Sequence, residues 1–188
     1  MSSPPYGGEA VQLHLHQPRD SHSGWTREWG PVIAELNPDT PDIFAGDGPL
    51  RHRVVEAAKA FPNIDYRGFV NKSEGSELVR RAIACAMPSL WEEPGPLVSL
   101  EAMAEGTPVI CCPKGGLAEY VSDSEAGIVC RRADYREIST GVRMLETDSA
   151  SWAKYSRNGL SAIVGRHSRE KYLDSLEAVY GSAIDSRT

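Results

Sequence analysis

No run in this chain approaches the ~20 consecutive apolar residues that a membrane-spanning helix needs, and no apolar secretory segment opens it. Any membrane contact is therefore expected to be peripheral. Positive charge is not in excess: the formal net charge is −6, which argues against wrapping a nucleic-acid backbone. Cysteine is scarce, with four in 188 residues, and no Cys-x-x-Cys spacing occurs. Cys85, Cys111, Cys112 and Cys130 all fall in or beside apolar strand-like runs. They read as buried, reduced thiols suited to a cytoplasm, and not as a disulfide framework or metal site. His14, His16 and His22 lack carboxylate or cysteine company at ligand spacing, so they do not suggest a metal centre. Internal repeats are absent, and low complexity is confined to a Pro/Gly/Ser leader over residues 1–10, expected to be mobile.

What is present is ordinary for a globular domain: 40% hydrophobic and 24% charged residues. This length supports one domain, expected over residues 11–188 and ending in helices. Val11, Leu13 and Leu15 alternate with polar residues, as in a half-exposed strand. Residues 26–36 have helical spacing, restricted by Pro31. Residues 42–46 form a short strand, and Gly46-Asp47-Gly48-Pro49-Leu50 turns it into a helix over 50–60. This turn is not the G-x-G-x-x-G dinucleotide fingerprint. Residues 63–70 read as strand plus turn, with Phe69 in the core, and 76–82 as a helix.

Residues 83–87, Ile-Ala-Cys-Ala-Met, suit a strand buried on both faces, and residues 107–112 another. Between them, residues 97–105 are rich in Leu, Ala, Met and Glu and predict a helix. Pro96 fits its first turn, Gly106 its C-terminal position, and Pro108 lies just beyond. Strand–loop–helix–strand in a parallel sheet is a right-handed crossover. The expected fold is therefore α/β: one Rossmann-like domain with a parallel sheet flanked by helices, and residues 83–87 and 107–112 as central strands. The loop from Ser89 to Leu97 would sit at a strand's carboxyl end, where open α/β sheets bind ligands. A glycine pair, Gly115-Gly116, opens a short helix, residues 126–130 form a strand, and helices follow over 135–145, 151–163 and 168–180. The last is amphipathic through Tyr172, Leu173, Leu176, Val179 and Tyr180, and Trp152 reads as a packing residue.

In the middle of this pattern Glu93 and Glu101 stand with seven residues between them. Taken alone, two carboxylates at that spacing are better explained by a solvated loop and a helix surface. The order Pro88-Ser89, Glu93, Glu101-Ala-Met-Ala, Gly106-Thr-Pro-Val-Ile and Gly115-Gly116-Leu-Ala-Glu119 is more specific. It resembles the C-terminal, donor-binding domain of retaining GT-B glycosyltransferases of the group 1, or family 4, class. The similarity runs from about Asp42 to about Tyr180 and is strongest over 88–129.

The resemblance implies a nucleotide-diphosphate sugar as substrate, no cofactor and no bound metal. Glu93 would meet hydroxyls of the donor sugar at the catalytic centre, and Glu101 the ribose. A carboxylate, as a strong acceptor, suits vicinal hydroxyls. The N–H groups of Leu97 and Val98, opening a helix, would face the diphosphate. Gly48 matches the family's Gly-x-Gly-Pro turn, and Val70 its Gly-x-Val segment near the base.

Two departures stand out. The family's Phe-Gly after the first carboxylate is Gly95-Pro96 here, and proline has no N–H to offer. The family's opening Gly-Arg…Lys-Gly segment is absent, leaving Arg19 as the nearby cation. The family also has a second, acceptor-binding domain, and this length has room for only one of the two, so the resemblance implies an acceptor-domain partner chain. Two functions follow: a glycosyltransferase donor domain for hexose transfer, or a non-catalytic, degenerate module of the same fold that acts by protein interaction.

Overall fold

A computed structural model describes residues 9–13, 34–90, 92, 95 and 97–185. Among them run six strands: β1 (Glu9–Leu13), β2 (Asp42–Ala45), β3 (Ile64–Gly68), β4 (Ala82–Met87), β5 (Val109–Cys111) and β6 (Gly127–Val129). All neighbours pair in parallel, in the order β3-β2-β1-β4-β5-β6. Helices α1 (Arg51–Ala60), α2 (Lys72–Arg81), α3 (Leu97–Ala104) and α4 (Gly115–Ser124) lie in the crossovers. Helices α5 (Tyr135–Thr147), α6 (Ser149–Gly165) and α7 (Arg169–Asp185) follow the last strand.

The parallel sheet and the central position of β4 and β5 agree with the sequence pattern. Every residue of β4 and β5 is buried, since helices cover both faces. The strand alternation sorts their side chains. Ala84, Ala86, Ile110 and Cys112 pack with Ile138, Val142 and Leu145 of α5 and with Trp152 of α6. Cys85, Met87, Val109 and Cys111 pack with Val98, Ala102 and Met103 of α3 and with Leu117 and Val121 of α4. Trp152 is the packing residue its context suggested, and its indole N–H also donates to the Ile83 carbonyl at 2.8 Å. Gly106 ends α3 with φ +77. Its N–H reaches the Met103 carbonyl and that of Thr107 the Ala102 carbonyl, both hydrogen bonds of a Schellman cap.

Several expectations are corrected. Glu9 and Ala10, placed in the leader by composition, belong to β1, where Ala10 lies opposite Asp42 and Glu9 opposite Ala82. β1 is also paired along both edges, to β2 and β4, which the alternation of its residues did not address, since alternation concerns faces and not edge partners. Helix α2 starts four residues before the predicted residue 76, with Asn71 as N-cap accepting from the Glu74 N–H at 3.0 Å. Gly75 within the first turn had masked that start. Phe69 is 82% exposed and is not a core residue. Helix α7 forms, yet none of its residues is buried, and Tyr172, Leu173, Val179 and Tyr180 are exposed. Helical periodicity reveals an apolar stripe without saying what covers it. His14, His16, His22 and most of the predicted helix at 26–36 lie outside the described residues, apart from helical residues 34–36.

At the amino end of the sheet a polar cluster ties residues 34–40 to α5 and to the start of β3. Asn37 donates to Ser139 Oγ at 2.8 Å, and Arg143 Nε donates to Asn37 Oδ1 at 3.1 Å. Asn63 donates to the Ala34 and Asn37 carbonyls at 3.0 and 3.1 Å. The opposite, carboxyl end is left to the loops.

Candidate functional site

Strands β1 and β4 are neighbours, with β2 on the far side of β1 and β5 on the far side of β4. The chain winds away in opposite directions from this pair, so the crevice outside their carboxyl ends is the topological switch point of the sheet. The loop joining β4 to α3 leaves from that crevice. Ser89, at its start, is buried, while Glu92 is exposed. Helix α3 turns Val98, Ser99, Ala102 and Met103 into the domain. Leu97 and Glu101, one turn apart on the other side, are exposed. The arrangement leaves the Glu101 carboxylate free of the core and one helical turn from the helix start. The side chain of Val98 is committed to packing, so only its backbone is available to a ligand.

The other loops at this end hold further predicted residues. After β2, Gly48 follows a turn in which the Asp47 carboxylate accepts its N–H at 2.8 Å and Tyr66 Oη donates to the Gly46 carbonyl at 3.1 Å. After β3, Val70 is half-buried beside the exposed ring of Phe69. The structure therefore places Gly48, Val70, Gly95, Leu97, Val98 and Glu101 on loops or helix starts at the carboxyl ends of β2, β3 and β4. Glu93 and Arg19 lie outside the described residues.

Two residues escaped the sequence pattern. Lys114 is exposed at the N-cap of α4, where its side chain makes no capping hydrogen bond. A cation directly before a glycine pair that opens a helix was the available signal. Tyr120 of α4 packs on Gly95, a contact between a helix and the preceding crossover's loop that no local pattern announces.

The thiols take no part in this edge chemistry. None of the four cysteines forms a disulfide, and all four are buried. Burial pushes Cys112 up to about 12 and Cys130 up to about 11, and raises Cys111 further, so they are protonated packing groups. Among the described residues no group of three or more His, Cys, Asp or Glu side chains is placed to hold a metal ion. None of the described helices is long and apolar enough to cross a membrane.

The sheet order and the crossovers define a Rossmann-like α/β domain. The sequence model for Glycosyl transferases group 1 matches residues 31–162, and the chain belongs to that family. A glycogen synthase of Mycobacterium tuberculosis (strain CDC 1551 / Oshkosh) is 31% identical over 130 residues, covering 68% of this chain and 31% of the relative. The chain thus spans about a third of that relative's length. Anabaena Alr3699/HepE, solved with UDP-glucose, superposes with a TM-score of 0.76 at 18% identity, over 94% of this chain and 49% of HepE. The C-terminal domain of the group 1 protein LpcC from Francisella tularensis superposes with a TM-score of 0.66 at 22% identity, over 86% of this chain and 87% of that domain. The fold is that of a GT-B domain.

Proposed function

We propose that this chain is the donor-binding domain of a retaining, family 4-type glycosyltransferase and that its ligand is a uridine diphosphate sugar. The observation that carries this is the exposed Glu101, one turn into a helix that starts at the switch point of the sheet. The UDP-glucose held by HepE supports uridine as the base. Glu101 accepts hydrogen bonds from the ribose hydroxyls, and the N–H groups of Leu97 and Val98 meet the diphosphate. Lys114 adds a cation on the same edge, where the opening segment provides only Arg19. Val70 and the exposed Phe69 offer the base a backbone partner and an apolar face. Glu93 contacts the sugar, and Gly48 lines the neighbouring loop.

A panel of UDP, GDP and ADP with thermal-shift readout tests this. UDP at a hundred times its dissociation constant is expected to stabilise the fold by about 2.7 kcal/mol, with GDP and ADP giving less. Glu101→Gln is expected to weaken UDP binding by ~1–3 kcal/mol, the range for a charge-assisted hydrogen bond, with the unliganded melting temperature unchanged. A protein-interaction module of the same fold would show no shift with any nucleotide.

Transfer needs an acceptor site and a closed cleft. Water left around the reacting sugar weakens each electrostatic contact that favours the transition state. The 188-residue chain by itself is expected to transfer no sugar at a useful rate. An acceptor-domain partner chain is the proposed source of that site. Assays with radiolabelled UDP-sugars and a broad acceptor panel check this, and robust turnover by the purified chain would refute it.

A further inference from the structure

Gly95 has almost no room beside it. A Cβ placed there would lie 2.6 Å from Tyr120 Cε2 and 2.9 Å from its Oη. Tyr120 stands on α4, whose Leu117 and Val121 are fully buried and fix that helix against the sheet. The tyrosine ring is therefore held by a helix on one crossover while it touches the loop of another. A second ring restrains it. His167, in the turn between α6 and α7, meets Tyr120 edge to face, with centroids 5.0 Å apart and planes at 65°.

The backbone around His167 is also anchored. Its N–H donates to the Ala162 carbonyl at 3.0 Å. Arg166 pairs with Asp123 at 3.2 Å, Lys154 pairs with Glu125 at 2.7 Å, and Asn158 donates to the Glu125 carbonyl at 3.1 Å. All three contacts join α6 or its C-terminal turn to the last residues of α4 and the residue after it. Exposed ion pairs contribute little stability each, but together they give α4 and α6 a common orientation. Burial and the neighbouring Arg166 hold the His167 imidazole below its ordinary value, so the ring is neutral at neutral pH.

A side chain at position 95 would fit only if the Tyr120 ring left its place against His167 or the backbone at 95 moved away from it. We propose that Tyr120, held by His167, is a positioning residue of the donor site: its ring is the wall on which Gly95 seats, and it sets where the β4–α3 loop and the first N–H groups of α3 meet a diphosphate sugar. The proposal rests on the donor-site reading of that loop. It also gives a physical reason for glycine at 95: the neighbouring ring leaves no room for a side chain. The coupling reaches beyond the site, because His167 belongs to the turn from which the exposed helix α7 departs.

The test is a cycle of Gly95→Ala, Tyr120→Ala and the double variant, with Tyr120→Phe as the conservative control. Two readouts are taken on the full chain: UDP-glucose affinity by calorimetry, and amide hydrogen exchange over residues 88–100 without ligand. Gly95→Ala is expected to lower affinity about tenfold and to speed exchange in this segment. Tyr120→Ala is expected to do the same, and Tyr120→Phe to stay within about twofold of the parent. In the double variant the alanine at 95 has room, so its effects should fall well short of the sum of the singles in both readouts. Additive effects, or an unperturbed Gly95→Ala, would overturn the proposal. If the parent chain binds no UDP-glucose, the donor-site reading fails, while non-additive exchange would still establish the Tyr120–Gly95 contact as what orders the loop. Additive exchange in that case would sink both.

Discussion

Gly127→Ala is expected to destabilise the fold by about 3 kcal/mol or more, through the closest backbone clash that an added Cβ makes at the described glycines compared. Gly127 opens β6 and lies opposite Val109 in the β5–β6 register. A Cβ at 127 would fall 1.8 Å from the Val109 carbonyl oxygen and 2.7 Å from its carbonyl carbon. These are backbone atoms of a fully buried central strand, so no rotamer change relieves the clash. The strand must move away, with loss of the hydrogen bonds from Val109 N–H to the Ala126 carbonyl and from Cys130 N–H to the Cys111 carbonyl. Gly181→Ala, in the exposed helix α7 with nothing within 4 Å of the added carbon, is the control. It should be neutral or stabilising by ~0.5–1 kcal/mol. Urea denaturation of both variants measures the contrast, and equal midpoints would show that β6 tolerates displacement.

The second large effect is a dependence on pH. Asp42 is 1% exposed at the start of β2. Its N–H donates to the Asn63 carbonyl at 2.7 Å, but its Oδ2 has no hydrogen-bond partner among the described residues. Burial raises its carboxyl from the ordinary 3.8 to about 7. Below pH 3.8 the folded and unfolded chains both carry the proton, and between 3.8 and about 7 only the folded chain keeps it. Stability from this group is therefore present at low pH and lost as pH rises through about 7, when the buried site must take a charge. A rise of this size corresponds to about 4 kcal/mol between pH 4 and pH 8. Asp42→Asn removes the charge while keeping the shape. The variant is expected to be more stable than the parent at pH 8 by several kcal/mol, with the gap narrowing steadily below pH 7 and closing only towards pH 4. The difference between the two chains cancels the titration of all other groups. A gap independent of pH would mean that Asp42 finds a partner in the folded protein.

These two residues also mark the boundary of what could be read from the sequence. The run 83–87 and the crossover through α3 to β5 were legible because a strand buried on both faces, a helix with its terminal glycine and a second buried strand leave strong local signals. The Schellman cap at Gly106 was legible for the same reason. Composition placed Glu101 in a helix over 97–105, and the structure leaves it exposed on that helix. Glycine at 127 and aspartate at 42 carried no such signal, since each owes its importance to a strand distant in sequence. Phe69 shows the converse failure: an aromatic residue at a strand end suggested the core, yet the turn carries it out to solvent.

The sequence by itself determined which segments are strands and which are helices from residue 42 onward, that the strands run parallel, and that the β4–α3 loop lies at a carboxyl end. Local propensity, periodicity and capping are written in neighbouring residues, so one dimension suffices for them. Only the tertiary structure decided that β1 lies between β2 and β4 and so creates the switch point, that Tyr120 closes on Gly95 with His167 against it, and that the apolar stripe of α7 is left uncovered. Those are contacts between segments tens of residues apart. Strand order and close packing depend on which surfaces meet, and periodicity along the chain is the same whichever partner a surface finds.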